Sequence, residues 1–208
     1  MRPTYPLGIM EVTLWPLPTA DAARRAAALG FDHLDLTGEV EDGAEPLAVP
    51  IGDRFTTASP RPGYSTGAPP EGPGNWERAV RAFRQAPGAR IEAWPGSIID
   101  SVEKIKAFLA EVPDVRLLLD TGHVANWGDD PCELVPYAGH IQLRQARRGV
   151  PQTLDGDVDF VRFVDRLRAC DYQGLLSVEY FDLPDLGYPL ANPVDYAVAL
   201  AEQIRPLL

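Results

Sequence analysis

The order of apolar and polar runs along the chain predicts alternating strands and helices from its beginning. Strands are predicted over residues 7–12, 33–36 and 47–53, and one helix is predicted over residues 19–31. Thr19 is expected to begin that helix and Gly30 to follow its end, because hydroxyl and glycine residues favour those positions. A strand, a helix and a second strand in this order are typical of a parallel sheet.

The segment over residues 59–74, SPRPGYSTGAPPEGPG, interrupts this pattern. More than half of its residues are proline or glycine, and this composition predicts no regular element. Long loops in compact domains are usually functional lids or disordered segments, and both interpretations stay open here. The helical pattern returns over residues 75–89, with Val80 and Phe83 on one face.

From residue 90 onward, strands and helices alternate without a break. Strands are predicted over residues 90–95, 115–123, 139–145 and 174–181, and helices over residues 97–112, 130–138, 158–172 and 192–208. Ser97 or Asp100 is expected to begin the first of these helices. The order predicts a parallel sheet covered by helices, as an open doubly wound sheet or as a closed (β/α) barrel. No GxGxxG or GxxxxGK[ST] motif follows the first strand, so nucleotide binding lacks its usual support.

Length and charge narrow the class of protein. The 208 residues suit one domain, residues 1–208, and the net charge of −11 disfavours a nucleic acid as a partner. Basic residues are dense in only one stretch of the sequence, which contains Arg144, Arg147 and Arg148. Cys132 and Cys170 are far apart, which predicts two reduced thiols. No run approaches the roughly 20 apolar residues that span a bilayer, so we expect a cytoplasmic protein with no membrane partner.

Each of the last four predicted strands carries a polar residue at or near its C-terminal end. They are Glu92, Asp120, Gln142 and Glu179. The C-terminal ends of parallel strands open on one face, so three carboxylates would meet there and repel one another. A divalent cation removes this repulsion, and oxygen ligands favour Mn²⁺, Mg²⁺ or Co²⁺. His140 shares a strand face with Gln142, so either residue could supply the ligand from that strand.

The motifs LLLDTGH, GHIQL, GDVDF and YQGLLSVEY together resemble the xylose isomerase-like barrel superfamily of sugar isomerases and epimerases. Within it, GHIQ resembles hydroxypyruvate isomerase and its relatives. The resemblance covers residues 90–182 well and residues 7–38 loosely, and it implies a (β/α)8 barrel. The region before Glu92 is short and rich in proline. One βα unit in the N-terminal half is therefore expected to be abbreviated or missing.

The resemblance also implies roles for individual residues. Glu92, Asp120, Gln142 and Glu179 would bind one divalent metal ion. The two glutamates would also be the catalytic acid and base, and His123 would contact the substrate. Arg147 or Arg148, in the loop after GHIQ, would contact the substrate too. The family often has an acid three residues after the third ligand, where this chain has Gln145.

Such a site predicts proton transfer next to a carbonyl group, through an enediolate intermediate, on a small sugar-like substrate. A metal-dependent dehydratase of a cyclic polyol or keto acid is the alternative enzyme, and a degenerate barrel that only binds is the non-catalytic one. An abasic-site endonuclease is excluded, because its histidine-rich centre cannot be built from three histidines. Trp15, Trp94, Trp127 and Tyr180 are candidates for the cavity wall, and a homodimer is the expected assembly if the chain is not a monomer.

Overall fold

The structure is a computed structural model that describes residues 5–38 and 47–208. Eight parallel strands close into a barrel in chain order, and the eighth strand pairs with the first. The strands are β1 (Leu7–Met10), β2 (Leu34–Thr37), β3 (Ile51–Phe55), β4 (Ser65–Gly67), β5 (Arg90–Glu92), β6 (Arg116–Asp120), β7 (Ala138–Leu143) and β8 (Leu176–Val178). Leu7 pairs with Leu176 and Ile9 with Val178, which confirms the closed barrel and excludes the open sheet.

Six helices surround this barrel in the described part of the chain. They are α1 (Thr19–Ala28), α2 (Asn75–Arg84), α3 (Val102–Glu111), α4 (Thr121–Trp127), α5 (Phe160–Ala169) and α6 (Pro193–Ile204). No helix occurs in residues 56–64, which join β3 to β4. The N-terminal half is therefore shortened in this connection, while all eight strands are present. Among the described residues, no helix is long and apolar enough to cross a membrane.

The prediction that residues 59–74 contain no regular element is wrong, because β4 lies inside this segment. Ser65 pairs with Phe55 on one side and with Arg90 on the other. The neighbouring strands supply the pairing for this short strand, and such tertiary pairing overrides the weak local preference of a proline- and glycine-rich sequence. Residues 59–74 do not line the cavity that Glu92, Gln142 and Glu179 line at the barrel mouth, so the structure does not place them there as a lid.

Three predicted boundaries also need correction. Ser101, rather than Ser97 or Asp100, caps α3, because its hydroxyl accepts a hydrogen bond from the Lys104 amide at 3.2 Å. The strand predicted over residues 115–123 ends at Asp120, and the following residues begin α4. The helix predicted over residues 130–138 is two short 3-10 turns. The buried face predicted for α5 is confirmed, since Phe160, Phe163, Val164 and Leu167 are buried.

The barrel interior below the mouth holds a buried ionic network. Nε2 of His140 lies 2.6 Å from Oδ2 of Asp35, and the Ser177 hydroxyl donates to the same oxygen. Burial alone would raise the pKa of Asp35, but the His140 imidazole beside it lowers this pKa to about 2. His140 is therefore engaged inside the barrel by Asp35, whereas Gln142 lies closer to the mouth.

Two strand glycines make room for this network. A Cβ atom on Gly8 would lie 2.3 Å from Cδ2 of the His33 ring, and one on Gly52 would lie 2.2 Å from the same atom. Such separations are far shorter than van der Waals contact. Both glycines are thus required by the close approach of the buried imidazole, and His33 in turn lies 3.0 Å from the Ser177 hydroxyl.

Candidate active site

The four strand-end residues converge at the mouth of the barrel. Glu92 and Asp120 are the last residues of β5 and β6, Gln142 is in β7, and Glu179 directly follows β8. Asp120 lies opposite Gln142 in the strand register. The Gln142 side-chain amide donates a hydrogen bond of 3.2 Å to Oε1 of Glu179. The sequence pattern thus identified four side chains that the closed barrel brings to one place.

The DTGH sequence places an acid and a histidine together because Asp120 caps α4. Its Oδ1 atom accepts hydrogen bonds from the amides of Gly122 at 2.7 Å and His123 at 3.2 Å. His123 consequently lies in the first turn, with Nε2 at 3.4 Å from a Glu92 oxygen and 3.5 Å from an Asp120 oxygen. One ligand-type atom from each of these three residues lies within 4.8 Å of the other two, so the group could hold a metal ion.

Arg144 also belongs to this site, although the sequence alone indicated only that it is part of a basic cluster. Arg144 is fully buried, and its guanidinium forms an ion pair with Asp120. Its Nη2 atom lies 3.3 Å from Nδ1 of His123, and its guanidinium carbon lies 4.8 Å from the Phe181 ring centre. Two positions after Gln142, Arg144 continues the strand face that points toward the barrel axis, and that alternation was the available signal.

Gly122 is small because Arg144 packs against it. A Cβ atom at this position would lie 2.5 Å from Nε of Arg144. The glycine of DTGH therefore serves the close approach of the arginine.

Ionisation of all the carboxyl groups of the site would not be balanced by the positive charge of the Arg144 guanidinium alone. Burial, together with the nearby Asp120 charge, raises the pKa of Glu179 well above its usual value. Burial would also raise the pKa of Asp120, but the Arg144 guanidinium outweighs burial and lowers it. Ionisation of Glu92, Asp120 and Glu179 together would place three negative charges against the one guanidinium of Arg144, and a bound cation would remove this imbalance. Oε1 of Gln142 is buried and has no hydrogen-bond partner among the described residues, so an oxygen ligand is also free for a cation.

A cavity of about 470 Å³ opens above these residues, which is a size typical of small-molecule sites. Glu92, His123, Gln142 and Glu179 line it, and we call these four residues the polar floor. The other lining residues are Met10, Val12, Trp15, Thr37, Phe55, Thr57, Trp94, Phe181, Leu183, Leu186 and Tyr188. Trp15 and Trp94 therefore lie where the sequence analysis expected aromatic walls.

Three other predicted substrate-binding residues do not line this cavity. Arg147 is half exposed and forms an ion pair with Asp155, and Arg148 is exposed. Trp127 is half-buried, and its indole N–H donates to Asp129 at 2.9 Å. Their substrate contacts stay predictions that these positions do not support.

Gln145, at the position where the resembled family often has an acid, has a structural contact. Its amide donates to the Val158 carbonyl at 2.8 Å, and its Oε1 accepts from the Val158 amide at 3.1 Å. Its backbone amide donates to the Tyr180 hydroxyl at 3.0 Å. Tyr180, which is fully buried, thus supports the loop behind the site instead of forming the cavity wall.

Comparison with known proteins agrees with this geometry. The model of the xylose isomerase-like TIM barrel family matches residues 19–206. The chain belongs to this family. Inosose dehydratase of Geobacillus kaustophilus is 31% identical over an alignment of 140 residues, with a coverage of 54% of this chain and 44% of that protein. The chain therefore matches less than half the length of this curated relative.

Solved structures share the fold at low sequence identity. The 3-keto-D-glucoside 4-epimerase YcjR of E. coli superposes with a TM-score of 0.73 at 15% identity, covering 97% of this chain and 99% of that one. A D-psicose 3-epimerase of Clostridium cellulolyticum H10 superposes with a TM-score of 0.71 at 16% identity, with the same coverages of 97% and 99%. At these identities the superpositions show the shared barrel.

Proposed function

We propose that this protein is a divalent-metal-dependent isomerase or epimerase of a small hydroxy-ketone or hydroxy-aldehyde. The observation that carries the proposal is the convergence of Glu92, Asp120, Gln142 and Glu179 at the barrel mouth, where all of them except Asp120 line one cavity. Sugar epimerases are among the solved structures that share this barrel, and a dehydratase is a curated relative. These similarities support chemistry on a sugar-like compound.

The residues present fit a divalent cation. Carboxylate and amide oxygens with one imidazole form a donor set that suits Mn²⁺, Mg²⁺ or Co²⁺. The repulsion that the three carboxyl groups would meet on full ionisation points to the same group. So does the Oε1 atom of Gln142, which has no partner among the described residues. Glu92, Asp120, Gln142 and Glu179 would hold it, with His123 beside them. When bound, a divalent ion supplies positive charge next to the substrate oxygens that become negative.

Glu92 and Glu179 would move the proton. They extend from β5 and from the end of β8, which are three strands apart in the barrel, so they reach the cavity from different sides. One glutamate removes the proton next to the carbonyl, and the other returns a proton to the enediolate. Return to the neighbouring carbon gives isomerisation, and return to the opposite face of the same carbon gives epimerisation. His123 would hold a substrate oxygen beside Glu92.

Exchange of the substrate's α-hydrogen with solvent tests this function. The protein is incubated with Mn²⁺ and L-erythrulose in D₂O, and deuterium incorporation is followed by NMR. We expect exchange that chelation removes and that falls by at least about 100-fold in Glu92→Gln and in Glu179→Gln. Glu77→Gln, at an exposed position of α2, is the matched control and should retain the exchange. Equal exchange in all variants would contradict the proposed roles.

A dehydratase is the second candidate, and the match to inosose dehydratase over 140 residues favours it. The same two glutamates would then take the α-proton and give a proton to the departing β-hydroxyl, which leaves as water. Incubation with inosose would yield an unsaturated carbonyl product that absorbs in the ultraviolet. A barrel that only binds would give neither hydrogen exchange nor this product with any substrate.

A further inference from the structure

The walls of the candidate active site differ in chemistry from its floor. The polar floor lies at the strand ends, while most of the surrounding wall is apolar. The apolar lining residues are Met10, Val12, Trp15, Phe55, Trp94, Phe181, Leu183 and Leu186. The rest of the described lining has three hydroxyl residues, which are Thr37, Thr57 and Tyr188.

The polar atoms of two aromatic lining residues already have partners in the protein. The Trp94 indole N–H donates to the Ala68 carbonyl at 2.7 Å, so Trp94 presents its ring to the cavity. The Tyr188 hydroxyl lies 3.5 Å from Nδ1 of His123, at the floor. Among the described residues, few hydrogen-bonding groups therefore remain on the wall above the floor.

The rim of the cavity continues this apolar surface into solvent. Trp15 is 51% exposed and Leu186 is 70% exposed, and large exposed apolar side chains around a cavity are typical of binding sites. The connection that carries Leu186 is anchored, because the Gln152 amide donates to the Phe181 carbonyl at 2.9 Å and accepts from the Phe181 amide at 3.0 Å. Gln152 fixes the base of this apolar rim.

A simple polyol sugar has a hydroxyl on nearly every carbon, and most of these would face an apolar wall without a hydrogen-bond partner. We propose that the substrate carries its hydroxy-carbonyl group at one end and an apolar group, aryl or alkyl, at the other. The polar end meets the floor, and the apolar end contacts Trp94, Phe181 and Leu186. This proposal rests on the proposed function, because the floor must act on the hydroxy-carbonyl end.

Three compounds that share the group CO–CH₂OH test the proposal. Hydroxyacetone ends in a methyl group, L-erythrulose in a hydroxylated chain, and 2-hydroxyacetophenone in a phenyl ring. Exchange of the CH₂ hydrogens with D₂O is measured by NMR in the presence of Mn²⁺, with the enzyme-free rate subtracted. We expect kcat/KM for 2-hydroxyacetophenone to exceed both others by at least about tenfold, because the phenyl ring buries more apolar area against the wall than a methyl group or a hydroxylated chain.

A rim variant separates wall contact from the reactivity of the compounds. In Trp15→Ser/Leu186→Ser, the preference for 2-hydroxyacetophenone over hydroxyacetone should fall several-fold. Val161→Ser is the matched control, because Val161 is an apolar residue of α5 that is 59% exposed and does not line the cavity. It should leave the preference unchanged. A preference that the rim variant retains in full would overturn the proposal.

Failure of the function and failure of the substrate class give different results. Exchange of L-erythrulose that equals or exceeds that of 2-hydroxyacetophenone would overturn the apolar end and leave the proposed function in place. Absence of exchange with all three compounds would contradict the function. In that case, calorimetric binding of the same compounds decides the apolar end. Tighter binding of 2-hydroxyacetophenone supports it, and equal or weaker binding overturns it.

Discussion

Arg144 and Asp120 form an ion pair in which neither side chain is exposed. Both ions lose their hydration on folding, so removing one partner leaves the other charge buried without compensation. We expect Arg144→Met to lower the free energy of unfolding by about 3–5 kcal/mol, measured by urea denaturation. The pair also fixes the Asp120 carboxylate beside His123, which is part of the polar floor. The arginine therefore contributes both to stability and to the position of a proposed metal ligand.

Arg147→Met is the control for this prediction, because Arg147 and Asp155 form an ion pair whose side chains are 47% and 92% exposed. An exposed pair contributes at most about 1 kcal/mol. Equal losses for the two methionine variants would contradict the structural role assigned to the buried pair.

Asp35 makes stability depend on pH in the acid range. Its pKa in the folded protein is about 2, below the ordinary value of 3.8. A lowered folded-state pKa contributes stability that is present above the unfolded-state value and is lost as pH falls through the folded one. His33, His140 and Ser177 face this carboxylate, so protonation breaks several contacts. The contribution amounts to about 2 kcal/mol.

Asp35→Asn cannot be protonated and should lose this pH dependence. Urea denaturation of both proteins between about pH 5 and pH 2 measures it. The difference in unfolding free energy between wild type and variant should shrink as pH falls through the window from about 4 to about 2. Other carboxylates affect both proteins alike and cancel in the difference. A difference that stays constant over this range would contradict the role assigned to Asp35.

The strand-end residues could be predicted from the sequence, whereas Arg144 could not, because its position depends on residues that are distant in the chain. Glu92, Asp120 and Glu179 interrupt apolar strands at their C-terminal ends, where parallel strands must meet, so local pattern and topology agree. Arg144 stands near two other arginines, and that neighbourhood suggested a solvated cluster. Its burial depends on Asp120 and Gly122, which come from another strand and its following helix, and no local pattern encodes that pairing.

At the scale of elements, the interior network constrains the strands around it. Gly52 lies in β3, and Gly67 lies in β4. A Cβ atom on Gly52 would lie 2.2 Å from the His33 ring, whereas one on Gly67 would meet nothing closer than 3.7 Å. Gly52→Ala should therefore lower the free energy of unfolding by about 1–3 kcal/mol, because the core is overpacked.

Gly67→Ala is the matched control, and its alanine should be tolerated with little change in the midpoint of thermal unfolding. Loss of stability in Gly67→Ala that equals the loss in Gly52→Ala would show that strand glycines matter for their backbone rather than for the space beside His33.

Most strands and helices followed from periodicity, because each has an apolar face that the barrel buries. The exception was β4, whose three residues lie between prolines and glycines. Its conformation depends on the pairing of Ser65 with Phe55 and Arg90, which are distant in sequence. The end of β6 was also misplaced, because Asp120 both completes a strand and caps a helix.

At the scale of the whole molecule, polar side chains occupy the barrel axis at two levels. The Asp35–His140 network lies inside the barrel, where the Asp35 carboxylate has its partners within the protein. The cluster at the C-terminal ends of the strands places three carboxyl groups beside one guanidinium. It also holds a Gln142 oxygen that has no partner among the described residues. In barrels of this kind, conserved chemistry at the C-terminal face serves catalysis and the opposite face serves stability. We assign the two levels in the same way here.

The metal content of the purified protein directly tests whether the strand-end residues bind a divalent metal ion. Protein prepared without chelator is loaded with Mn²⁺, desalted and measured by elemental analysis. We expect about one ion per chain in the wild type and in the control variant Glu77→Gln/Glu202→Gln, whose substituted glutamates are exposed. We expect the ion to be lost in Glu92→Gln/Glu179→Gln. A wild type without bound metal, or equal occupancy in all three proteins, would contradict a metal site at these strand ends.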